Sequence, residues 1–78
     1  MEVVIAPYRV TDIDSNEARI ISNVKMIEED DQSYTLCFAS LQAYSKACLS
    51  IHSVCTMTKS DNDLYVVIHK DSLMAVLV

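Results

Sequence analysis

The stretch Ser33-Tyr34-Thr35-Leu36-Cys37-Phe38-Ala39-Ser40-Leu41-Gln42-Ala43-Tyr44-Ser45-Lys46-Ala47-Cys48 changes its apolar period part-way along. Up to Ala39, the residues Tyr34, Leu36 and Phe38 alternate with smaller or polar ones, the period of a half-buried strand. Ser40 is a good N-cap, and beyond it Leu41, Tyr44, Cys48, Ile51 and Cys55 recur at alternating steps of three and four. Ala47 and Val54 widen that stripe, so the spacing predicts a helix over roughly Leu41 to Met57. The opposite side holds Gln42, Ser45, Ser50, Ser53 and Thr56, with Lys46 as its one charge. A face of small uncharged residues is easy to desolvate and suits contact with a second subunit or a partner; an ordinary serine-rich surface gives the same pattern.

Working outward, the acidic break Glu29-Asp30-Asp31-Gln32 reads as a turn joining this strand to the segment before it. That segment, Glu17 to Glu28, places Ala18, Ile20, Ser22, Val24 and Met26 on one side, with Ile21 and Ile27 as exceptions. It is read as a strand, with a helix as the alternative because Asp14 and Glu17 resemble a capping box. Glu2 to Asp12 forms the first strand, with Val4, Ala6, Tyr8 and Val10 to one face. Pro7 there lacks the N–H of a ladder residue, which predicts an edge position or a bulge. After the helix, Leu64 to His69 and Leu73 to Val78 are short and β-branched, and Lys70-Asp71-Ser72 between them predicts a hairpin, with a helix as the alternative for the last segment. The order β-β-β-α-β-β implies an α+β fold: a single domain over residues 1–78 with one mainly antiparallel sheet and a helix across one face.

Composition narrows the function. The 78 residues contain no glycine, so a Gly-rich phosphate loop, a dinucleotide fingerprint and a glycine-flanked nucleophile elbow are excluded. Backbone turns needing positive φ are expected on Asn or Asp in the four breaks: Asp14-Ser15-Asn16, Glu29 to Gln32, Asp61-Asn62-Asp63 and Lys70 to Ser72. The net charge is −5, and the six basic residues are scattered, which argues against direct nucleic-acid binding. No basic leader opens the sequence, and the longest apolar run, Leu73 to Val78, is too short for a membrane span. Three cysteines are too few for a disulfide framework, so reduced thiols in an intracellular, cytoplasmic setting are expected.

Three constellations offer chemistry. Cys48, His52 and Cys55 share one side of the predicted helix, and His69 or Cys37 can complete a zinc set on paper. The same cysteines fit the apolar stripe, and no Cys-x-x-Cys is present, so the reading is core packing with no metal and no cofactor. As a nucleophile–base pair, His52 and Cys55 lie mid-helix at i, i+3, without free amides to form an oxyanion hole, so no catalytic residue is assigned. Val76-Leu77-Val78 has the form of a strand-adding terminal peptide, and is read instead as the last core strand. The acids Glu28, Glu29, Asp30 and Asp31, joined by Asp12, Asp14 and Glu17, are the candidate partner-binding face.

The expectation is a small acidic, non-catalytic module that binds, and regulates or inhibits, a larger protein with a basic surface. The alternatives are a nucleic-acid-mimicking inhibitor, an obligate homo-oligomer with an assembly role and, last, a Cys/His metal or catalytic protein.

Overall fold

The structure is a computed structural model that describes residues 1–7, 18–53, 57–60 and 63–77. The strand expected over Ser33 to Ala39 is present as Ser33–Phe38, and the helix begins at Leu41 as expected. Ser40 stands in an extended conformation, and its Oγ accepts a hydrogen bond from the Ala43 N–H at 3.2 Å, which satisfies one of the helix's orphan donors.

The elements run β1 (Val3–Pro7), β2 (Arg19–Ile21), β3 (Val24–Glu29), β4 (Ser33–Phe38), α1 (Leu41–His52), β5 (Met57–Ser60), β6 (Tyr65–His69) and β7 (Leu73–Leu77), with a 3-10 turn at Lys70–Ser72. The fold is α+β, as expected. The strands form two antiparallel sheets, where one was expected: β2-β1-β7 and β3-β4-β6-β5. Both sheets and the helix contribute to one buried cluster. Val3, Ile5 and Ile21 come from the first sheet, Leu36, Phe38, Val66 and Ile68 from the second, and Tyr44, Ala47 and Ile51 from α1. Phe38 meets Tyr44 edge to face, with ring centroids 6.3 Å apart.

The split into two sheets begins inside the segment that alternation made a single strand. Ser22 and Asn23 separate β2 from β3, and Asn23 adopts a φ of 62°, which an Asn tolerates better than a β-branched residue. The break reverses the exposure expected upstream of it: Ile21 is buried while Ile20 is exposed. Val24 then exchanges two backbone hydrogen bonds with Met1, at 2.8 and 3.0 Å, and pairs with Phe38 on its other side. One residue thus stitches the sheets together.

Three further expectations are corrected and one is met. In β1 Val3, Ile5 and Ala6 are all fully buried while Val4 is half-buried, so burial does not follow the single Val4–Ala6 face that alternation gave; Tyr8 and Val10 of that face lie outside the described residues. Pro7 is on the central strand of its sheet, not at an edge, and the other setting expected for it is present: a bulge, seen as a register shift between Ala6 and Pro7. The helix ends at His52, short of Met57, and Met57–Ser60 is a strand. Ser53 is the C-cap, and Val54, Cys55 and Thr56, over which the helix was expected to continue, lie outside the described residues. Finally β7 pairs with β1, and no β6–β7 hairpin forms. Both edges of β6 are occupied, by β4 and β5, so the 3-10 turn carries the chain across to the other sheet.

The second positive φ falls on Leu64, at 54°, immediately after the predicted Asp61-Asn62-Asp63 turn. Its carbonyl accepts from the Phe38 N–H at 2.9 Å and its side chain packs on the core, two contacts that hold it in a region unfavourable to leucine.

Candidate functional site

The β3–β4 hairpin tip gathers four of the seven candidate acids. They are not equivalent. Asp30 is spent on the turn: one carboxylate oxygen accepts from the Gln32 N–H at 2.7 Å and the Ser33 N–H at 2.8 Å, and both oxygens lie within 3.2 Å of the Ser33 hydroxyl. This is the Asx geometry that closes a turn without glycine. The backbone donors of Gln32 and Ser33 hold the Asp30 carboxyl below its ordinary value near 3.8. Glu29 is spent on an ion pair with Lys70, which pushes the Lys70 ammonium above its ordinary value near 10.5. Lys70 also stands over the Tyr34 ring, 4.9 Å from its centroid, and its backbone N–H donates to the Gln32 carbonyl at 2.9 Å.

Glu28 and Asp31 are exposed, and their carboxylates make no hydrogen bond or ion pair among the described residues. Asp31 lines a shallow hollow beside the tip together with Gln32, His69, Lys70 and Asp71. Asp71 is therefore an acid of this surface that the sequence reading did not single out; the signal available was its place in the short break Lys70-Asp71-Ser72. Asp12, Asp14 and Glu17 lie outside the described residues.

Cys48 is buried on the inner face of α1, whereas His52 is exposed at the helix end; Cys55 lies outside the described residues. Cys37 is a half-buried free thiol on β4, and His69 is half-buried on β6. Among the described residues no group of three or more His, Cys, Asp or Glu side chains is arranged to hold a metal ion. No helix among them is long and apolar enough to cross a membrane.

The second distinctive surface is the outer flank of α1. Ala43, Tyr44, Ala47, Cys48 and Ile51 turn inward, but Leu41, counted in the inward stripe, is 63% exposed. It is the first helical residue, and a helical side chain leans toward the N-terminus, which carries Leu41 past the edge of the core. Leu49, on the serine-rich side, is 79% exposed. It lies between two open hollows and lines both. One, about 390 Å³, runs between α1 and β2 beneath Ile20, which is 65% exposed; the other, about 590 Å³, runs between α1 and β5 beside Tyr44, Cys48 and Met57.

No protein-family model, no curated protein and no solved structure matches this chain.

Proposed function

We propose that this protein is a non-catalytic intracellular module that binds a larger protein with a basic surface through the tip of the β3–β4 hairpin. The observation that carries the reading is the division of labour among the acids. Asp30 and Glu29 rigidify the tip through Ser33 and Lys70, and Glu28 and Asp31 are left exposed on that fixed frame. Asp71 joins Asp31 on the same hollow. Carboxylates on a preset frame lose little conformational freedom when they meet Lys or Arg, and their charge steers the encounter. A net charge of −5 favours such a partner over nucleic acid or an acidic protein.

Affinity capture from a lysate at low and high salt tests the proposal. The wild-type chain is expected to retain a basic protein at low salt and release it at high salt. A Glu28→Gln, Asp31→Asn double variant keeps the Asp30 and Glu29 contacts and should lose that protein. Equal recovery by the double variant would overturn the acidic tip as the binding surface.

A further inference from the structure

We draw no further inference here: the strongest candidate, the apolar flank of α1 where Leu41 and Leu49 stand exposed beside two open hollows, carries nothing because nothing in the structure shows what covers it.

Discussion

The hairpin tip and the helix flank are both surfaces, and they are organised in opposite ways. At the tip, charge is abundant but two of four acids are consumed by local bonds, Asp30 by the turn and Glu29 by Lys70. Along the flank, charge is scarce and large apolar side chains stand uncovered. A count of carboxylates therefore overstates the tip as a docking surface, and a count of serines understates the flank. What distinguishes them is whether a side chain's favoured contacts are already made within the chain.

The comparison is broken most severely by removing what holds the flank up. Ile51 is fully buried on the inner face of α1, so Ile51→Ala should cost about 2–5 kcal/mol, read as a lower urea midpoint with the tip's amide shifts retained until global unfolding. Asn23 frames the β2 side of the same region at a φ of 62°. Asn23→Val places a β-branched residue there, and a loss of about 1–2 kcal/mol is expected, whereas Asn23→Gly should be close to neutral. Ser40→Ala removes the cap of α1 and should cost about 1 kcal/mol in the same denaturation assay.

The tip gives the smallest effect, and its sign is fixed by protonation. The folded-state pKa of Asp30 lies below its unfolded value near 3.8, so its contribution is present above that value and fades as pH falls through the lower folded one. The amides of Gln32 and Ser33 should shift together in an acid titration, with a midpoint below 3.8. Lys70 has the opposite sign: its ion pair contributes below about 10.5 and is lost as pH rises through the raised value. Asp30→Asn should abolish the acid transition while α1 keeps its exchange protection. An acid transition that survives this change would assign it to another carboxylate.

The elements legible in the sequence were those whose signal is local. The alternation of Tyr34, Leu36 and Phe38, the Ser40 cap and the acidic turn are each present where the residues placed them. What was not legible depended on partners distant in sequence. Nothing in Leu73 to Leu77 says that its ladder belongs to Val4–Pro7, and the hairpin expected with β6 fails only because β4 and β5 already occupy both of its edges. Ile21 looked like an exception to alternation because the kink that buries it follows at Ser22-Asn23, and neither residue belongs to a cluster of turn formers. At the candidate site, the acids of the tip were found by composition, but the bonds that divide them were not. The role of Lys70 depends on a contact across 41 positions of sequence.

The absence of glycine acts on the denatured chain as well as on the folded one. A glycine-free backbone samples fewer conformations when unfolded, so less entropy is surrendered on folding. Leu64 meets the opposite side of that condition, holding a left-handed corner that another sequence would give to glycine. Replacing it by glycine would relax the corner and at the same time loosen the random coil and strip an apolar side chain from the core, so the native leucine can be the more stable choice despite its backbone.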